Sequence, residues 1–342
     1  MSDGNPEFIG LLFIGDPHLA SRAPGFRKDD YPQTILAKLR WAIRYAAEQR
    51  LLPVLLGDLF EFPRDNANAM LVELLALFSG CPEGCLHGIY GNHDSKENEI
   101  GENDTLSVLV AAGHIRLLDR SPWRGRINGC AVHIGGTSWG RKLPESFDRI
   151  GVSDPLSPGT PGEREPESQM RSPCGPGLVF WVTHHDLRFP GYEEHARMGC
   201  RAIEGIDVVV NGHIHRALED VVDGGTTWLN PGNITRVKRG DATRAHEPAV
   251  LRIDIAADGV WQQRRVPVPY QPFDEVFHAE IAGGDVKIDD SMFIRELAAL
   301  ESTRTATGAG LRSFLDANLS QFDPRVSHEI NSLAQEILND AR

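Results

Sequence analysis

Five short fragments carry side chains able to hold metal ions and move protons: Asp16-Pro17-His18, Gly57-Asp58, Gly91-Asn92-His93-Asp94, His184-His185 and Gly212-His213-Ile214-His215. Each is ordinary alone, since an Asp-x-His is usually a solvated loop and a Gly-Asp a turn. Together they bring aspartates, an asparagine and several histidines to the ends of short apolar runs. Two divalent ions ~3.5–4 Å apart can hold a phosphoryl group and a water between them, with one carboxylate bridging the ions. An Asp behind a conformationally permissive Gly suits that bridge. Imidazole and carboxylate donors favour Mn, Fe or Zn over Ca or Mg. Two doubly charged cations against Asp16 and Asp58 leave the site net positive, so an acidic protein can present a positive spot to an anionic substrate.

The elements that must position these residues follow from hydrophobic periodicity. Residues 8–14, 53–56, 86–90, 178–183 and 207–210 read as buried strands, each leading into one of the five fragments. Residues 32–50 read as a helix, with Ile35, Leu36, Leu39, Ile43 and Ala46 in helical period and Pro32 in the first turn. Asn66 is the expected N-cap of a second helix running to about residue 78. Strands alternating with helices predict an α/β sheet covered by helices, whose sites form beyond the strand ends. Residues 141–177, rich in Pro and Gly, are expected to be a surface insertion, either a solvated loop or a lid. Beyond residue 268 the pattern changes to a strand at 276–281, a helix at 292–300, and a helix opened by Asp323-Pro324 with Val326, Ile330, Leu333 and Ile337 on one face. The expected division is therefore a catalytic domain at 1–268 and a small, mainly helical appendage at 269–342.

Composition excludes several classes. The 342 residues contain 35 Lys plus Arg against 48 Asp plus Glu, a net charge of −13, which rules out a uniformly basic nucleic-acid-coating protein. No apolar run approaches the ~18 residues of a membrane span. Met1-Ser2-Asp3-Gly4-Asn5 lacks the basic start and apolar stretch of a signal peptide, so a cytoplasmic location is expected. Cys81, Cys85, Cys130, Cys174 and Cys200 form an odd, scattered set that reads as thiols of a reducing compartment. Cys81 and Cys85 lack the second pair that would complete a zinc site.

In order and type, the five fragments resemble the calcineurin-like metallophosphoesterases, over residues 8–239. The resemblance implies a four-layer αββα sandwich of the α/β (α+β) class, with two sheets face to face and helices outside. It implies two divalent metal ions, Mn before Fe or Zn. Asp16, His18 and His215 would hold one, and Asn92, His184 and His213 the other, with Asp58 bridging. His185 is the rival of His184 for its place. His93 would be the site acid, held by Asp94. The implied reaction is in-line attack on phosphorus by a metal-bridging hydroxide, with His93 donating to the phosphate or the leaving oxygen.

Within that family, Gly57-Asp58-Leu59-Phe60, the long helix after the first fragment, and Asn230-Pro231-Gly232-Asn233 look like the SbcD-type DNA repair nucleases. That likeness implies a DNA phosphodiester substrate, no membrane, and a coiled-coil repair ATPase as partner. The region opening with Tyr270-Gln271-Pro272-Phe273 would cap the site or bind the partner. Glu61 departs from the pattern, because some of these nucleases carry a His three residues after the bridging Asp. Arg22, Arg27, Lys28, Arg236, Lys238, Arg239 and Arg244 could contact DNA phosphates, or form a solvated surface with Asp29, Asp30 and Asp241. Trp123, Trp139, Trp181, Trp228 and Trp261 read as core. Three functions remain open: a phosphodiesterase acting on DNA, a phosphomonoesterase or phosphoprotein phosphatase, and a non-catalytic scaffold.

Overall fold

Strands made wholly of apolar residues have two faces to bury, and here the two faces go to different partners. The computed structural model describes residues 7–279 apart from 25, 150–176 and 195. In chain order the first half contains β1 (Gly10–Ile14), α1 (Tyr31–Glu48), β2 (Leu51–Leu55), α2 (Asn68–Ser79), β3 (Leu86–Gly88), α3 (Thr105–Ala111), β4 (Ile115–Leu117), β5 (Trp123–Ile127) and β6 (Cys130–Thr137). The second half contains β7 (Leu178–Thr183), β8 (Leu187–Arg188), β9 (Met198–Gly199), β10 (Val208–Asn211), β11 (Val221–Asp223), β12 (Thr226–Leu229), α4 (Asp241–Ala245), β13 (Ala249–Ile255), β14 (Trp261–Pro267) and α5 (Phe273–Val276).

Two six-stranded mixed sheets result, ordered β14-β13-β1-β2-β3-β4 and β11-β12-β10-β7-β6-β5. β1, β2, β3 and β4 run parallel, as do β6, β7, β10 and β12. Side chains alternate across each strand. Leu11 and Phe13 of β1 therefore join Phe180 and Val182 of β7 and Val208 and Val210 of β10 in a core between the sheets. Leu12 and Ile14 face the other way and pack with Ile35, Leu39 and Ile43 of α1 and Leu74 and Phe78 of α2. On the second sheet, Val179 and Val209 turn outward to meet Leu187, Phe189, Ile203, Ile206 and Trp228. That outer layer consists of loops and short strands among the described residues, where helices were expected.

α1 buries the predicted face, and Oδ1 of Asp30 accepts the N–H of Gln33 at its start (3.4 Å). α2 begins at Asn68, and Asn66 does not cap it: its amide donates to Phe62 O and Thr105 Oγ1, both at 2.9 Å. The strand expected at 276–281 is corrected where it is described, because Val276 closes α5 and Phe277 makes only an isolated bridge to Arg27. Residues 280–281 and the helices expected at 292–300 and beyond 323 lie outside the described residues, as do 150–176 of the insertion. The first part of that insertion is fixed to the body by Phe147 N–H donating to Glu204 O (2.7 Å) and by the Arg149–Asp207 ion pair. The chain divides into two compact units after Ala279. Cys81, Cys85 and Cys200 are free, whereas Cys130 is disulfide-bonded, which corrects the expectation of thiols throughout. No helix among the described residues is long and apolar enough to cross a membrane.

Candidate metal centre

The parallel strands point their carboxyl ends at one place. Asp16 and His18 follow β1, Asp58 follows β2, and Asn92 and His93 follow β3, all from the first sheet. His184 follows β7, and His213 and His215 follow β10, from the second. The turns are sharp: Asp16 (φ 35°), His18 (49°), Asp58 (47°) and His213 (69°) are four of the eight described non-glycine residues with positive φ. Such conformations cost ~1–3 kcal/mol each and persist where surrounding contacts impose them. Here those contacts include His18 N–H to Asp58 O (2.9 Å), Leu19 N–H to Leu59 O (2.8 Å) and Tyr31 O–H to His18 O (2.6 Å). The approach of the loops requires glycine at Gly91, where a Cβ would lie 2.1 Å from Asp58 Oδ1 and 2.6 Å from His184 Nε2.

The donors fall into two groups that share Asp58. His18, Asp58 and His215 form one, Asp58, His184 and His213 the other, with ligand atoms within 4.8 Å of one another in each. Asp58 Oδ2 lies 3.6 Å from His18 Nε2 and 3.1 Å from His184 Nε2. His18 Nε2 and His215 Nε2 face each other at 2.9 Å, where at most one can carry a proton. Asn92 Oδ1 sits 3.3 Å from His184 Nε2 and 3.0 Å from His213 Nδ1. Asp16 accepts His213 N–H at Oδ1 (3.1 Å), and its Oδ2 is buried without a hydrogen-bond partner.

Two of the imidazoles have one nitrogen held by a hydrogen bond and the other turned to this cluster, and a third faces a carboxylate. His184 Nδ1 donates to Leu56 O (2.8 Å). His213 Nε2 faces Asp186 Oδ1 (2.8 Å). His18 Nδ1 lies 2.8 Å from Glu61 Oε2, close enough for an ion pair although not aligned as a hydrogen bond. Outer carboxylates and carbonyls of this kind set the tautomer of a metal-binding histidine. The orphaned Asp16 oxygen, the facing imidazoles and the fixed tautomers all fit a pair of divalent cations.

The buried charges of the cluster act strongly on one another. Burial works to lower the His184 pKa, yet the Asp58 and Asp16 carboxylates outweigh it and push it up to about 9. His18 is raised in the same way against its burial, by Glu61 and Asp58. Burial opposes ionisation of Asp58, but His184 and His18 overcome it and hold that carboxyl far below its ordinary value. A buried anionic pocket that draws protons onto its imidazoles attracts metal cations by the same field.

His93 and Asp94 sit beside the cluster but do not touch as expected. The His93 ring packs edge-on to His18 with centroids 4.8 Å apart, and its Nδ1 donates to Glu61 O (2.8 Å). Asp94 is buried and instead accepts Phe60 N–H and Gly91 N–H, both at 3.0 Å. It thereby ties the third motif loop to the second. Burial, with Asp58 adding, pushes the Asp94 pKa up to about 7. His185 turns away: its Nδ1 meets Thr183 Oγ1, its Nε2 donates to Arg141 O (2.8 Å), and burial lowers its pKa to about 4.

Sequence reasoning missed three contributors. Asp186 follows directly on the His184-His185 motif, which was the available signal. Glu61 was seen only as a departure. Trp139, expected in the core, packs at a tilt of 32° against His213 with centroids 4.9 Å apart. The cavity beside the cluster has a volume of about 400 Å³ and is lined by His18, His93, His213, His215, Arg216 and Lys238 among others.

No family model and no curated protein matches the chain. Among solved structures it is similar to the Thermus thermophilus sulfate thiohydrolase SoxB, with 15% identity, 78% of this chain and 59% of that chain covered, and a TM-score of 0.40. It is similar to a 5'-nucleotidase precursor, also from Thermus thermophilus, with 12% identity, coverage of 76% and 54%, and a TM-score of 0.40. It is also similar to a dimetal phosphatase from Danio rerio, with 14% identity, coverage of 77% and 100%, and a TM-score of 0.42. The chain thus spans little more than half the length of the first two.

Proposed function

We propose that this protein is a binuclear metal-dependent phosphoesterase. One observation carries the reading: Asp58 belongs to both donor groups, with His18 and His215 on one side and His184 and His213 on the other. Asp16 would complete the first metal site and Asn92 the second, with Asp58 as the bridge. Bound there, two divalent ions, Mn best matching the donors, would supply an activated water and offset charge on the phosphoryl oxygens. His93 would serve the leaving oxygen through Nε2, the ring nitrogen that the bond from Nδ1 to Glu61 O leaves free. Asp94 positions the loop that carries Asn92 and His93. Lys238 and Arg216, at the cavity wall, can receive the anionic substrate.

The finer reading is phosphodiester hydrolysis, with DNA as the polymer. Gly57-Asp58-Leu59-Phe60 and Asn230-Pro231-Gly232-Asn233 support it. Monoester hydrolysis is the second reading, favoured by the commitment of most nearby cations to internal contacts. Arg27 pairs with Asp29 (2.6 Å), Arg244 with Asp274 (2.9 Å), and Arg236 donates to His246 O (2.8 Å) and Gln271 O (3.1 Å). The diester reading includes a coiled-coil ATPase partner, with the chain beyond residue 268 as the partner-binding part. Free Cys81, Cys85 and Cys200 support a cytoplasmic location, while the disulfide at Cys130 counts against it.

Single-stranded DNA, duplex DNA, an aryl diester and an aryl monoester should be assayed side by side at fixed Mn, before and after chelation. Chelation should abolish hydrolysis and Mn restore it. Full activity at zero metal occupancy would overturn the phosphoesterase reading. Preference for the monoester with no DNA cleavage at low salt would reject the diester reading and leave the broader one standing.

A further inference from the structure

A second group of metal-ligating side chains lies at the amino end of β3, whereas Asn92 and His93 follow its carboxyl end. Cys85 and His87 are two residues apart at the start of that strand, so their side chains share a face. Both are buried, at 3% and 2% exposure. The turn that precedes them closes through Gly84 N–H donating to Cys81 O (2.8 Å), with Gly84 at φ +69°, and brings Glu83 onto the same face. Glu83 Oε2 lies 2.8 Å from His87 Nε2, and Cys85 Sγ lies 3.9 Å from the same nitrogen. The three donor atoms are all within 4.8 Å of one another. Zinc–sulfur and zinc–nitrogen bonds of ~2.3 and ~2.0 Å at tetrahedral angles give donor–donor edges of roughly 3.3–3.6 Å, so the two edges at His87 would each change by about half an ångström and the third by at most roughly 1.3 Å.

A simple ion pair between Glu83 and His87 accounts for two of these groups. It leaves unexplained why a buried thiol is turned to the same nitrogen. A carboxylate, a thiolate and an imidazole are a donor set for a borderline or soft divalent ion. We propose that Glu83, Cys85 and His87 form a mononuclear site for such an ion, zinc before others, separate from the binuclear centre. Binding releases the Cys85 thiol proton and leaves His87 neutral. Trp123 Nε1 donates to both Glu83 oxygens (3.1 and 3.2 Å), so the ion would join the α2–β3 turn to β5. Its role is structural: it anchors the start of the strand whose far end carries the third motif loop.

The donors of the binuclear centre are oxygen and nitrogen only, which makes the test selective. The full-length protein, reduced and freed of metal, should be titrated with cobalt(II) while thiolate-to-cobalt charge transfer is followed in the near ultraviolet. We expect a band whose limiting intensity corresponds to one thiolate-bound cobalt per chain, reached within three equivalents because the binuclear centre takes up to two. It should persist in Asp58→Asn and Cys200→Ser and vanish in Cys85→Ser. No band at saturating cobalt, or one that survives Cys85→Ser, overturns the site. Should Cys85→Ser fail to fold, alkylation of the native chain decides. Zinc at ten times its dissociation constant should slow Cys85 modification about tenfold, with Cys200 unaffected; an unchanged Cys85 rate overturns the proposal. Neither outcome bears on the phosphoesterase reading.

Discussion

The donor cluster at the strand ends and the cations around it are held by different kinds of contact. Each donor sits a few residues beyond a strand, and its place is set by that strand, a sharp turn and a bond to a neighbouring loop. His184, for example, is fixed by Leu56 O just past β2 (2.8 Å). Most of the cations also take partners from distant segments. Arg27 lies over the rings of Tyr31 and Phe277 at 4.7 and 5.2 Å, Arg236 over Tyr270 at 4.6 Å, Arg239 over Phe26 at 4.3 Å and Arg244 over Phe273 at 4.2 Å. Lys28 Nζ donates to Asp274 O (2.8 Å). These residues fasten 270–279 onto the rest of the first unit, so their charges serve the fold, whereas the donors turn toward one another. A residue set demanded by metal chemistry is therefore informative in sequence, while a set of arginines is not until their partners are known.

The largest expected effect lies at the shared carboxylate. Asp58→Asn removes the charge that the two donor groups have in common, and hydrolysis should fall at least ~10²–10³-fold, the scale of losing a central electrostatic contact. Metal analysis should show lower occupancy of both positions. Retention of both metals with normal turnover would show that Asp58 is not the bridge. His93→Ala should lower turnover about 10²–10⁴-fold with metal content nearly intact. The loss should shrink for esters with good leaving groups, which need less protonation. An equal loss across a leaving-group series would make His93 a phosphate-positioning residue.

Glu61 sharpens the contrast, because it is a charged residue that serves the cluster. Its carboxylate lies 2.8 Å from His18 Nδ1 and 3.9 Å from His93 Nδ1, and only 7% of it is exposed. Outer carboxylates of this kind are worth about 10–100-fold in metal affinity or activity. Glu61→Gln should weaken Mn binding by that factor in a calorimetric titration, and Glu61→Asp should restore part of it. Unchanged Mn affinity in Glu61→Gln would reduce Glu61 to a structural role.

What could be read in the sequence depended on whether the determinant was local. Apolar runs and helical periods marked β1, β2, β3, β7, β10 and α1 because burial on both faces, or on one stripe, writes itself into neighbouring residues. The residues that the structure gathers at the strand ends were legible as a group because each motif sits directly past such a run. The link from His93 Nδ1 to Glu61 O was not, since a backbone carbonyl carries no sequence signal. The same holds for Asp94, whose partners are the N–H groups of Phe60 and Gly91 (both 3.0 Å). Asn66 was misplaced because α2 starts two residues later, at Asn68, and the Asn66 amide is turned to Phe62 O and Thr105 Oγ1. Outward cover of the second sheet by loops was hidden for the same reason: Phe189, Ile203 and Ile206 are scattered apolar residues without a period.

The smallest effects separate the two kinds of cation directly. Arg236 is buried, at 6% exposure, and its loss leaves the carbonyls of His246 and Gln271 without their donor. Unsatisfied buried groups cost ~1–3 kcal/mol, so Arg236→Ala should lower the stability measured by denaturant unfolding by that amount while hydrolysis of a small diester per folded molecule stays near normal. Lys238 is exposed at the cavity wall, and Lys238→Ala should change stability by less than about 0.5 kcal/mol. An exposed ion pair is worth ~0.2–1 kcal/mol, which converts to a rise of roughly 1.5–5-fold in KM for an anionic substrate. Added salt should erase that rise by screening. The opposite pattern, with Arg236→Ala leaving stability unchanged and weakening DNA binding, would return Arg236 to the substrate surface and collapse the distinction between the cluster and its surroundings.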